Sequence, residues 1–243
     1  MFFFFRKPKL EVICYTDNSI AYEYYKIEQA SKYIPKWFKD ANSMYIDENH
    51  FHEPQSTIKK CPGIINLLTK GLILPLWTDI NIYTDIVNNV IETSSADITT
   101  EIARHSSRQW DSYLNPDNYS HMKITSPWAF SVKDDTQFYW NSSFYNNKPD
   151  ILHYIAPAIV DFKVQKATHI NIFIPRISQH TILKAGFPII QLIPLSDKKL
   201  VIKHELVDSN KMKQIHLKPH TFMDRYKTIV KLEKNKCPFH RSK

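Results

Sequence analysis

"THINIFIPRISQHTILKAGFPIIQLIPL", residues 168–195, decides the fold class. Three short runs of strand character lie in it, at 168–174, 181–184 and 188–195, with turn signals between them. In the first run Ile170, Ile172 and Ile174 alternate with other residues, the period of a strand with one buried face. In the last run Pro188 stands at the start, where a missing N–H is tolerated. Ile190, Leu192 and Pro194 then alternate with Ile189, Gln191 and Ile193. Both faces are apolar but for one amide, so this strand is buried on both faces or packs against a partner subunit in a homo-oligomer. Gln191 must then find hydrogen-bond partners, either in neighbouring backbone or in a ligand or acid across a pocket. Gly186 is one of only three glycines. Its place between two strand runs predicts a tight turn with positive φ.

Working outward, strand signals recur at 87–92, 121–133, 136–140, 151–164 and 199–207. That makes about nine to eleven short strands joined by short turns, the signature of a mainly β protein. The expected architecture is an antiparallel β-sandwich, jelly roll or β-clip-like fold. Upstream, Ile20, Tyr24 and Ile27 have helical spacing, so residues 19–33 read as an N-terminal helix capped by Asn18 or Ser19 and ended by Pro35. That helix is expected to bury Tyr24 and Ile27. The "IPKW" turn should plant Trp37 and Phe38 against the core, and residues 40–57 read as loop. In "IKKCPGIINLLTKGLILPLWTDINI", residues 58–82, Pro62 suits the first turn of a short second helix and Gly71 its C-terminal stop. Ile64, Leu67 and Leu68 are spaced to face inward. "LILPLW" is a core strand that ends near Asp79. Residues 101–114 read as a short helix or a long loop. The expected organisation is a single β-rich domain with helical cover over 1–221. A basic C-terminal helix, Phe222 to Leu232, and a tail complete residues 222–243.

Apolar residues make up 43% of the 243, enough for a substantial core. With three glycines, Gly-rich phosphate loops are excluded. The formal net charge of +8 favours a polyanion or nucleotide as partner. Lys218, Arg225, Lys227 and Lys231 make the tail the stronger candidate arm, and Arg104 and Arg108 beside Trp110 form a second basic and aromatic group. Three widely spaced cysteines point to a reducing compartment. The opening "MFFFFRKPKL" is too short in its apolar run for a secretion signal and reads as the first half of a buried strand. No apolar run has the length of a membrane span. No cofactor is predicted. The weak zinc alternative is His216 and His220 with Cys237 and His240; His50 and His52 with Glu53 form another local cluster. Cys61 stands at a helix N-terminus, where a thiolate would be favoured, but it also suits a buried structural position.

Several stretches read in order carry a resemblance: "IPKWFK", "CPGIINLLTKG", "LWTDI", "SPWAFSVKDDTQFYW", "APAIVDFKVQKATHINIFI" and "ILKAGFPIIQLIPL". This series resembles an uncharacterised protein family of tailed phages of marine bacteria. The resemblance implies a phage origin, and hence the host cytoplasm or the virion. More faintly, the motif order is similar to that of dUTPase and dCTP-deaminase-like proteins. That likeness implies β-clip architecture, with Asp79 as the first acid, Asp161 as the water-activating acid, and Gln191, Lys163 and Asn141 around a ligand. Magnesium would belong to that alternative. Departures from the pattern are plain. "NSSFYNN" stands where a Ser- and Arg-bearing phosphate motif should, Ala158 replaces a glycine, and a C-terminal glycine-rich motif is missing. The leading expectation is therefore a binding or accessory protein without a complete catalytic set. A divergent dUTPase-like enzyme and a metal-dependent enzyme are the alternatives.

Overall fold

The computed structural model describes residues 8–47, 51–146 and 153–217. The chain opens with β1 (Lys9–Thr16), α1 (Ser19–Tyr24) and β2 (Glu28–Gln29). Next come α2 (Lys36–Asp40), β3 (Met44–Asp47), β4 (Phe51–Ser56), α3 (Pro62–Thr69) and β5 (Leu72–Pro75). Then follow β6 (Ile80–Asp85), β7 (Val90–Ser95), β8 (Ile102–His105), β9 (Tyr119–Val132) and β10 (Phe138–Ser142). The remainder is β11 (Tyr154–Ile155), β12 (Ala158–Val160), β13 (Ala167–Pro175), β14 (Gln179–Leu183), β15 (Pro188–Pro194), β16 (Lys199–Leu206) and α4 (Ser209–Leu217).

Two sheets enclose one core. The larger runs β11-β13-β9-β1-β16, with β8 also on β9; the second runs β12-β10-β15-β5-β2. Among the described residues all pairings are antiparallel except β1 with β16. The protein is thus mainly β and sandwich-like, as the strand pattern predicts. Strand β9 shows why. Met122, Ile124, Ser126, Trp128, Phe130 and Val132 are all buried, whereas Lys123, Thr125, Pro127 and Ser131 are half-exposed, a period of two broken only at Ala129, which is buried on the other face. Pro127 falls between the stretch that pairs with β8, up to Ile124, and the stretch that pairs with β1, from Ala129. There its missing N–H leaves no rung unmade. Phe162 lies in the centre, stacked on Phe130 with centroids 4.7 Å apart and tilted against Phe138 at 5.2 Å. A third sheet, β14-β6-β7, and a β3-β4 hairpin complete the sheets among the described residues. Among the described residues no helix is long and apolar enough to cross a membrane.

Four expectations need correction. The N-terminal helix stops at Tyr24, because Glu28 and Gln29 are extended and pair with Ile73 and Leu72 of β5. Ile27 is fully buried as expected, but Tyr24 is 77% exposed. Trp37 is also exposed, while Phe38 beside it is buried. Residues 40–57 hold a hairpin where a loop was expected. Met44, Tyr45 and Ile46 are all exposed, so neither face needs the apolar alternation that marks a buried strand. Finally, 101–114 resolves into strand β8 and 3-10 turns. By contrast, α3 begins on Pro62 and stops before Gly71, which has φ +92°, and β15 is buried on both faces. The leading residues and the tail beyond 217 lie outside the described residues.

Candidate functional site

Asp79 and Asp161 do not come together. Asp79 follows β5 and secures a turn: its Oδ1 accepts from the Ala185 N–H at 2.8 Å and its Oδ2 from Lys184 Nζ at 2.8 Å. Gly186 in that turn has φ +83°, as its isolation among strand signals predicts, and its N–H donates to the Leu76 carbonyl. The Lys184 ammonium, and then the Ala185 N–H, hold the Asp79 carboxyl below the usual range. Asp161 closes a different turn, accepting from the Lys163 N–H at 2.9 Å through Oδ1. It directly follows Val160, which pairs with Phe138, which pairs with Pro194 at the end of β15. Asp79 reaches the residues just before Pro188, where β15 begins. The two acids are therefore separated by the length of β15, seven residues or about 20 Å.

The proposed ligand contacts divide in the same way. Asn141 and Gln191 are cross-strand partners and share a face. Yet the Gln191 side chain, 6% exposed, donates through Nε2 to the carbonyls of Leu67 at 2.6 Å and Lys70 at 2.9 Å. Its amide caps the C-terminus of α3, the backbone outcome of the two weighed above. Lys163 forms an ion pair with Asp135 at 2.6 Å. Trp110, expected as an open stacking surface, instead donates to His121 Nδ1 at 3.1 Å and packs edge-on against Phe173 at 4.8 Å. Cys61 is exposed, not buried.

Sequence reading missed a cleft of about 570 Å³ between the end of β1, Trp77, Asp97 and α4. Asp97 organises it. Its Oδ1 accepts from the Thr99 N–H and hydroxyl at 2.9 and 2.7 Å, and its Oδ2 from the Thr100 hydroxyl at 3.2 Å and the Asn18 amide at 3.3 Å. Burial pushes its carboxyl up, but these donors, led by Thr99, outweigh burial and leave it below the usual range. Trp77 lines the wall and donates to Thr100 Oγ1 at 2.8 Å. Lys213 and His216 of α4 close the far side. The Asp-x-Thr-Thr spelling of 97–100 is a local signal that could have been read as a side-chain-capped turn. Its partners Asn18 and Trp77 could not.

Charge is distributed unevenly. Of the 32 basic and 24 acidic residues, 21 and 20 fall among the described residues, a net of +1. Residues 218–243 hold eight lysines and arginines against Asp224 and Glu233. Lys218, Arg225, Lys227, Lys231, His220, Cys237 and His240 all lie outside the described residues, so of the zinc alternative only His216 can be placed. Among the described residues no group of three or more His, Cys, Asp or Glu is arranged to hold a metal ion.

His153 is 8% exposed, and neither ring nitrogen has a hydrogen-bond partner among the described residues. Burial pushes its imidazole down to about 4. Between that value and about 6.5, the unfolded chain binds a proton that the native state refuses. This contribution is full above about pH 6.5 and is lost as pH falls towards 4. The loss should reach roughly 3 kcal/mol. Urea midpoints at pH 7 and pH 4.5 should converge markedly in His153→Leu; an undiminished gap would show that other groups set the acid sensitivity. The acids Asp79, Asp97 and Asp134 are all shifted down and titrate below this window.

No protein-family model matches the chain, and no curated protein matches it.

Proposed function

We propose that this is a phage-encoded binding or accessory protein, working in the host cytoplasm or the virion, whose basic C-terminal segment engages a polyanion while the β-sandwich serves as scaffold. The segregation of charge carries this reading. A core of net +1 has no general attraction for anions, and a 26-residue segment of net +6 has a strong one. That segment follows α4 in the chain, and Lys213 of α4, at the cleft, adds one more cation. Support for the dUTPase-like alternative is weaker: both its acids are committed to turns at opposite ends of β15, and Gln191 is committed to α3.

The test keeps the chain at full length and replaces Lys218, Arg225, Lys227 and Lys231 by Gln. Binding of inorganic polyphosphate should weaken. For single-strand-like contacts worth about 0.7 each, the slope of log K against log salt should flatten by up to about 3. Equal affinities for the parent and the variant at two salt concentrations would remove the tail from the binding surface.

A further inference from the structure

Pro35 occupies the N-cap of α2, so Phe38 turns inward and Trp37 outward, where it is 45% exposed. An exposed indole is ordinarily free to rotate, but this one is held. Its Nε1 donates to the Tyr145 carbonyl at 3.0 Å, and its ring lies 6.1 Å from that of Tyr145. Phe144, 65% exposed, stands edge-on to Tyr145 at 5.2 Å. Two exposed aromatic rings thus each pack against Tyr145, and one of them is fixed in orientation. Lys59 ties the neighbouring 3-10 turn, Ile58–Lys60, to α2 by donating to the carbonyls of Lys39 at 2.6 Å and Ala41 at 2.7 Å. The two elements together carry Lys36, Lys39, Lys59 and Lys60 against a single acid, Asp40.

From this we infer that the polyanion is a single-stranded nucleic acid and that its bases stack on Trp37 and Phe144 while the α2 lysines meet its phosphates. This rests on the polyanion reading above and adds a second contact surface to it. Aromatic faces interleaved with cations serve bases that are unpaired, because a duplex keeps its base faces covered. A platform held in advance by the Tyr145 carbonyl also loses little rotamer freedom on binding.

Fluorescence anisotropy on the full chain distinguishes the two claims. The probes are oligo-dT, oligo-rU, an abasic oligonucleotide of equal length, a duplex, and inorganic polyphosphate. Oligo-dT or oligo-rU should bind tighter than the abasic strand and the duplex, and their ranking assigns the polymer. Trp37→Ala should weaken the preferred strand by about 5- to 100-fold, and Phe144→Ala similarly, with abasic and polyphosphate binding unchanged. Trp37→Phe should retain most of the affinity and lose the quenching of tryptophan emission. If abasic and base-bearing strands bind alike and Trp37→Ala alters neither, this inference fails, while the tail variant still reports separately on the polyanion reading. If light scattering shows dimers that Trp37→Ala dissolves with strand binding unchanged, the surface joins copies of this chain and the inference also fails.

Discussion

Gly71→Ala is expected to cost about 4 kcal/mol or more, enough to leave little folded protein at physiological temperature. Two effects add. With φ at +92°, the residue sits where an L side chain is strained by about 1–2 kcal/mol. An alanine Cβ would also lie 2.1 Å from the Leu192 carbonyl oxygen and 3.1 Å from Ile193 Cα. Those are backbone atoms of β15, so they cannot swing aside as a side chain would. Relief requires moving β5 from β15, at the rung where Leu72 pairs with Leu192. The other glycines provide the controls. Gly186 has φ +83°, but its nearest neighbour is the Tyr25 ring at 3.7 Å, so Gly186→Ala should cost only about 1 kcal/mol. Gly63 lies in α3 with nothing within 4 Å, and Gly63→Ala should stabilise by about 0.5 kcal/mol. Urea midpoints of the three variants should rank in that order. Near-equal midpoints for Gly71→Ala and Gly186→Ala would show that β15 does not approach Gly71 as closely as described.

The contrast between these glycines also marks what local sequence can express. Strand runs from 119 to 206 were legible because burial imposes a period of two on the chain itself, as the alternation through β9 shows. Pro62, Gly71 and Gly186 were legible because each answers a backbone need at its own position. Where the partner is remote, the chain is silent. Tyr24 and Ile27 share a helical spacing, yet the helix yields to β2 because Leu72 and Ile73, far along the sequence, offer Glu28 and Gln29 a rung. Asp79 and Asp161 fit a motif order, but motif order carries no distance, and β15 lies between them. The cleft around Asp97 depends on Asn18 and Trp77, which no local pattern links to it. The exposed ring of Trp37 looked like a core anchor because composition cannot show which of two adjacent aromatics faces inward.

Gln191 tests the same corner from the other side. Its amide reaches from β15 to the end of α3, where the Leu67 and Lys70 carbonyls have no helical donor of their own. Gln191→Leu keeps the volume and removes both hydrogen bonds, leaving the two part-buried carbonyls without this donor and the pocket of the amide without its polar partner. The expected cost is about 3 kcal/mol. Gln191→Glu should do worse at neutral pH, about 4–5 kcal/mol, because a carboxylate would face two carbonyl oxygens in a site that is 6% exposed. That environment raises the pKa of the introduced carboxyl above its unfolded value. Its neutral form, which can donate one hydrogen bond, is then favoured in the native state. Part of the lost stability should therefore return as pH falls through the raised value, whereas Gln191→Leu should gain nothing. Unfolding midpoints of the two variants at pH 7 and pH 5 decide it: parallel behaviour would mean that residue 191 does not face the helix end. Because Gly71 meets Leu192 and Gln191 meets Lys70, the two substitutions disturb one junction. The double variant Gly71→Ala/Gln191→Leu should lose less than the sum of the single losses, since a strand already displaced by alanine has no amide left to lose.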